Sequence, residues 1–335
     1  MKLKCWIIGL AMLAVIGQVE AREINILFMG NSYTVRHNLP ELVKKVFEEG
    51  QPGLTVNVER IAYGGQDMFR HHDFYFTESF VRLNSITIPE INAQISIMES
   101  LLKAGGPPTF LSAYYEKTGL KPVVWETIEK YLGTAVKNQK QLIERVENNG
   151  RVKWDYIVLQ SWRDVVADVD AGYAEYAQKW AKMAEKEGIK VILYITAPHA
   201  QNQEPVTEPV ELAQTAMELI TVRQLVARIH PYAVVPVALG LKNIQMNGTD
   251  LKFRYINDGH PNQYGAFLTS NMFYAAFFRQ STEGFYYNRV TETKLKDDKT
   301  PDGGAKTVIF DRATKTLLQK AAYDAVMEFN AGLGH

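Results

Sequence analysis

A serine near the start of the chain and a histidine near residue 260 carry the most chemistry. Ser32 lies in Gly30-Asn31-Ser32-Tyr33, after a short apolar run over residues 24–29. A second apolar pattern follows at helical spacing (Leu39, Leu42, Val43, Val46, Phe47), with Pro40 at a first helical position. His260 lies in Asn257-Asp258-Gly259-His260-Pro261-Asn262, again just before an apolar helical run and with an acid beside it. A serine hydroxyl is a poor nucleophile until a base takes its proton, and an imidazole base needs a partner that fixes its tautomer. Ser32, Asp258 and His260 supply those parts in that chain order. Each also has a plainer role: serines at helix starts are caps, and Asn-Asp-Gly is turn chemistry.

For two such distant loops to meet, both must lie at one edge of a shared scaffold. Residues 24–29, 54–60, 154–160, 191–197 and 233–239 read as strands, and residues 173–186, 210–229 and 264–278 as helices. Strands separated by helical runs predict βαβ units, hence an α/β, flavodoxin-like three-layer sandwich with a five-stranded parallel sheet. Ligands bind such sheets at the carboxyl ends of the strands, which is where Ser32 falls. Residues 66–153 are too long for one crossover. They hold helical stretches at 90–103 and 123–148 and an aromatic, His-rich start, and predict a largely helical insertion between strands 2 and 3 that roofs this edge. Residues 281–335 form a C-terminal extension ending in a helix over 313–329.

The chain has 335 residues, 46% hydrophobic and 22% charged, with a formal net charge of zero. That suits one large domain, residues 22–335, and argues against nucleic acid or an anionic membrane as the main partner. Residues 1–21 read as a signal peptide: Lys2 and Lys4, an apolar stretch short for a membrane span, then Val19-Glu20-Ala21. The expected location is secreted or periplasmic, with no integral span in the mature chain. The one cysteine, Cys5, lies in the leader, so disulfides, thiol catalysis and cysteine–zinc sites are excluded from the mature chain.

The motifs together resemble the SGNH (GDSL-type) hydrolase superfamily, and more closely its secreted bacterial members of uncharacterised function. Gly30-Asn31-Ser32-Tyr33 matches the first block, with Asn31 where GDSL members have Asp. Gly64-Gly65 followed by His71 or His72 matches the second, whose glycine amide helps to form the oxyanion hole. Asp258-Gly259-His260-Pro261-Asn262 matches the last. The resemblance implies an ester hydrolase without a cofactor, acting on a small-molecule or glycan ester, most simply an O-acetyl ester of a carbohydrate. A lipid or other carboxylic ester, and a catalytically impaired glycan-binding protein, are the alternatives.

Two departures from the family pattern bear on the site. The third block's oxyanion Asn is missing after residues 154–160, where Gln160-Ser161-Trp162-Arg163 stands instead. Gln160 is either a substitute amide donor or a satisfied strand end. In the last block the acid usually lies three residues before the histidine, at Asn257 here. Either Asp258 orients His260 from a tighter loop, or Asn257 does so through its carbonyl. Trp162, Arg163 and His72 are candidates to line the substrate site, and His199 is a spare base. No metal is expected, because adjacent His71 and His72 point apart on any regular element.

Overall fold

The computed structural model describes residues 22–197, 209–256, 258–295 and 298–333. The leader, His199 and Asn257 fall outside the described residues. The apolar runs form β1 (Arg22–Gly30), β2 (Leu54–Ala62), β3 (Tyr156–Gln160), β4 (Lys190–Ile195) and β5 (Ala233–Pro236). They make one five-stranded sheet in the order β2-β1-β3-β4-β5, every pair parallel. All of β3 is buried, as a central strand covered on both faces must be, so its sequence is an unbroken apolar run without alternation.

Helices α1 (Ser32–Val35) and α2 (Leu39–Gly50) follow β1, with a 3-10 turn (Arg36–Asn38) between them. Between β2 and β3 lie α3 (Met68–Asp73), α4 (Glu78–Val81), α5 (Ile88–Ala104), α6 (Thr109–Thr118) and α7 (Trp125–Glu147). Then come α8 (Gly172–Lys186), α9 (Pro209–Ile229), α10 (Val237–Met246), α11 (Gln263–Phe278) and α12 (Arg312–Ala331). The chain steps from β1 to β2 in one direction and through β3, β4 and β5 in the other. Right-handed crossovers then place α2 on one face and α8 and α9 on the opposite one. Phe28 of β1 and Tyr194 of β4 both meet Phe273, at 5.7 and 5.3 Å between ring centroids. Phe47 meets Phe277 at 5.0 Å, so α11 shares its face with α2. The sheet, α2 and α12 surround α11, which is why that helix is apolar on every side.

The reversal of strand order lies between β1 and β3, and it opens a crevice at their carboxyl ends. Met29 pairs with Leu159 and Gly30 with Ala62, so β1, β2 and β3 all finish at that edge. The strand expected over residues 233–239 stops at Pro236, and α10 begins at Val237. Proline has no N–H to extend the ladder, and its fixed φ favours a helix start. The insertion has five helices where periodicity showed two. Its long α7 buries Ile128, Leu132, Ala135, Gln139, Leu142 and Val146 along one stripe and packs on α5, which a Thr87–Glu90 capping box starts. The extension contributes a hairpin, β6 (Arg289–Thr291) with β7 (Thr307–Ile309), as well as α12 against α10 and α11.

Candidate active site

Ser32 opens α1 directly after β1, and Asn31 holds this turn. Asn31 is buried; its Oδ1 accepts the Tyr33 N–H (3.1 Å) and its Nδ2 donates to Gln66 O (2.9 Å). An aspartate could not make that donation, which is a physical reason for Asn at this position. Gly30 is required by a close approach and not by its φ: a Cβ there would fall 2.6 Å from Thr34 Oγ1 and closer still to Gln160 Oε1. Gln160 is a buried strut. Its Nε2 donates to Asn31 Oδ1 and to Ser161 O, both at 2.9 Å, while its Oε1 accepts from Asn31 N (3.0 Å) and Thr34 Oγ1 (2.6 Å). Both amide hydrogens are therefore engaged, and Gln160 takes the part of a satisfied strand end rather than that of an oxyanion donor.

The histidine loop is a tight hairpin before α11. Tyr255 N donates to His260 O (2.9 Å), Asn262 N to Phe253 O (3.0 Å), and Gly259 turns the chain at φ 69°. Asn262 then caps α11 by accepting the Gly265 N–H at 3.1 Å. This loop brings His260 Nε2 to 2.8 Å from Ser32 Oγ. On the other side of the ring, Nδ1 hydrogen-bonds Asp258 Oδ1. An ionised carboxylate can only accept, so Nδ1 carries the hydrogen and the Nε2 lone pair faces the serine. Tyr33 links the two loops through its hydroxyl, which donates to Gly259 O at 3.3 Å. The His260 and Asp258 side chains remain 24% and 21% exposed, so the pair is open to solvent.

Behind Asp258 is a set of charges that the motifs did not announce. Arg36 donates from Nη2 to Asp258 Oδ2 and from Nη1 to Glu292 Oε2, the latter at 2.8 Å. His37 Nε2 lies 2.8 Å from Pro261 O and 3.6 Å from Glu292 Oε2. Partial burial works to raise the Asp258 carboxyl, but the His260 ring and the Arg36 guanidinium outweigh it and hold that group below the usual carboxylate range. Burial likewise works against Glu292, and His37, the Lys294 N–H and Arg36 together bring it below its ordinary value. Burial pushes His37 down. The sequence signal was slight: a basic pair, Arg36-His37, just beyond Ser32. Nothing local marked Glu292.

The remaining candidates are divided. Gly64 lies against the hydroxyl of Tyr131 from α7, and Gly65, at φ 66°, has Trp162 Cη2 3.8 Å from the place its Cβ would take. The Arg163 guanidinium stacks 4.1 Å over the Trp162 ring. His72 is not brought to the serine: its Nδ1 lies 2.5 Å from Asp73 Oδ1, and its ring packs on Tyr176 and Trp180 of α8. His71 turns the other way, and its Nε2 reaches Gly30 O at 2.8 Å behind the Ser32 turn. Among the described residues there is no group of three or more His, Cys, Asp or Glu arranged to hold a metal ion, and no helix long and apolar enough to cross a membrane.

No family model matches the chain, and no curated protein matches it. Three solved structures are similar to it. A DUF4886 family protein from Bacteroides uniformis ATCC 8492 shares 14% identity over 91% of this chain and 95% of that one, with a TM-score of 0.50. An SGNH hydrolase candidate from Slackia heliotrinireducens shares 16% identity over 74% and 96%, with a TM-score of 0.40. A gut microbial diltiazem-metabolizing enzyme shares 10% identity over 77% of this chain and 47% of that one, with a TM-score of 0.36. The likeness to the DUF4886 family protein is one of fold, and the sheet order β2-β1-β3-β4-β5 is the flavodoxin-like one.

Proposed function

We propose that the chain is a serine-dependent carboxylic ester hydrolase of SGNH type. One observation carries this reading: Ser32 Oγ and His260 Nε2 are 2.8 Å apart while His260 Nδ1 is held by Asp258. In the reaction, Ser32 Oγ attacks the ester carbonyl carbon as its proton passes to His260 Nε2. Asp258 stabilises the imidazolium that forms, and His260 returns the proton to the leaving alkoxide. Water then repeats the sequence on the acyl-serine and frees the acid. The Ser32 and Gly65 backbone amides are the proposed oxyanion donors, since Gln160 is engaged elsewhere.

The proposed substrates are O-acyl esters of carbohydrates, foremost O-acetyl esters. Trp162 beside Gly65, with Arg163 stacked on it, supplies an aromatic and cationic wall suited to a sugar ring. The proposed setting is secreted or periplasmic, with residues 22–335 acting as one domain. Turnover of p-nitrophenyl acetate and labelling by a fluorophosphonate probe test the reading. Wild-type protein is expected to do both and Ser32→Ala neither. A folded wild type that binds glycan but gives no label and no turnover would leave a binding protein in place of an enzyme.

A further inference from the structure

The two oxygens of Asp258 are divided: Oδ1 holds His260 and Oδ2 holds Arg36, which is only 3% exposed and also binds the fully buried Glu292. We propose that Arg36 and Glu292 are positioning residues that set how strongly Asp258 supports the protonated His260, so that the β6–β7 hairpin of the C-terminal extension belongs to the catalytic apparatus. This rests on the serine hydrolase reading above.

A guanidinium on Oδ2 fixes the carboxylate's orientation but also draws negative charge away from the imidazole. Glu292 offsets that pull by giving Arg36 a second anion. The Glu292 charge is itself provided for, because its Oε1 accepts the N–H groups of Thr293 (2.8 Å) and Lys294 (2.7 Å). The turn that carries Arg36 is unusual. His37 and Asn38, neither of them glycine, stand at φ 55° and 51°. Such backbone persists only where surrounding contacts hold it, and here the Glu292 and Pro261 contacts do so.

The other groups facing this chain of charges are Tyr33, Arg254, Arg163, Tyr255 and His37, none of which is substituted in the test. The Tyr33 ring lies 5.6 Å from the His260 ring, with the Arg254 guanidinium 5.6 Å from Tyr33 and Arg163 acting on Tyr33 through its charge. Tyr255, 5.6 Å from the Arg36 guanidinium, is kept neutral by burial and by Glu292. Burial likewise disfavours a charge on His37.

The measurement is the acid limb of kcat/KM for p-nitrophenyl acetate, taken on the full chain after its fold has been checked by circular dichroism and melting. Arg36→Gln removes the cation, so His260 holds its proton more firmly and the limb moves to higher pH. Glu292→Gln leaves the cation without its offset and moves the limb to lower pH. Each shift should be about half a pH unit or more, and the double variant should return towards wild type. A merely structural role would lower kcat without opposite shifts. Limbs that stay fixed, or that move the same way in both single variants, overturn the proposal. If Arg36→Gln does not fold, Glu292→Gln decides alone, and a limb that stays or rises overturns it. A wild type with neither turnover nor fluorophosphonate label overturns the hydrolase reading, and this proposal with it.

Discussion

Asn31 and Gln160 exchange two hydrogen bonds, Asn31 N–H to Gln160 Oε1 at 3.0 Å and Gln160 Nε2 to Asn31 Oδ1 at 2.9 Å. This reciprocal pair ties the Ser32 turn to the end of β3 across the point where strand order reverses. It also spends the amide that was the candidate replacement for the third-block asparagine of SGNH hydrolases. Satisfied buried amides of this kind rigidify, and half-satisfied ones are costly.

Asn31→Asp should therefore weaken the protein, although it introduces the residue that GDSL-type hydrolases carry there. The donor to Gln66 O is lost, and a carboxylate takes its place beside that carbonyl. The expected cost is about 1–3 kcal/mol, read as a lower urea midpoint with an unchanged m-value. A variant as stable as wild type would mean that Asn31 does not need its donor.

Gly30→Ala should disturb the same pair from below. The added methyl meets Gln160 Oε1 and Thr34 Oγ1, an overpacking that costs about 1–3 kcal/mol. Because the strut that moves holds the serine turn, kcat should fall more than KM rises. Steady-state kinetics at a temperature where the variant stays folded checks this.

Asp258→Asn keeps the shape of the side chain but can present an N–H to His260 Nδ1. The imidazole would then carry its hydrogen on the side facing Ser32. By analogy with the serine protease case, kcat should fall by about 10⁴-fold with little change in KM. A loss of less than tenfold would move the orienting role elsewhere.

His71 gives the fold a pH dependence of its own. It is fully buried, its Nε2 reaches Gly30 O at 2.8 Å, and burial pushes its imidazole down to about 4 from the ordinary 6.5. Between those values the unfolded chain binds a proton that the folded one refuses, so stability is lost as pH falls from about 6.5 to about 4 and this contribution is flat below that. His71→Gln, which keeps a donor, should remove a slope on the order of 3 kcal/mol across the window. Urea midpoints of both proteins at pH 7 and pH 4.5 give the difference.

The sheet was legible because each strand is a local apolar run and each helix a local periodicity, and Gly and Pro mark where they end. The limits show at Pro236, where an apolar run continues but changes from strand to helix, since a missing N–H outweighs hydrophobicity. They show again in the insertion, whose α3, α4 and α6 are too short to display a period.

By itself the amino-acid order determined the α/β class and two loops carrying Ser32 and His260, with Asp258 or Asn257 left open as the orienter. Both follow from residue type and spacing over a few turns of chain. Tertiary structure set Asp258 against the imidazole, and decided how the amide of Gln160 is used and that His72 faces α8. It also decided that Glu292 of the extension stands behind Arg36. Those are matters of hydrogen bonds and charge pairs between segments far apart in sequence, and no local pattern records which distant donor or anion the fold will bring within 3 Å.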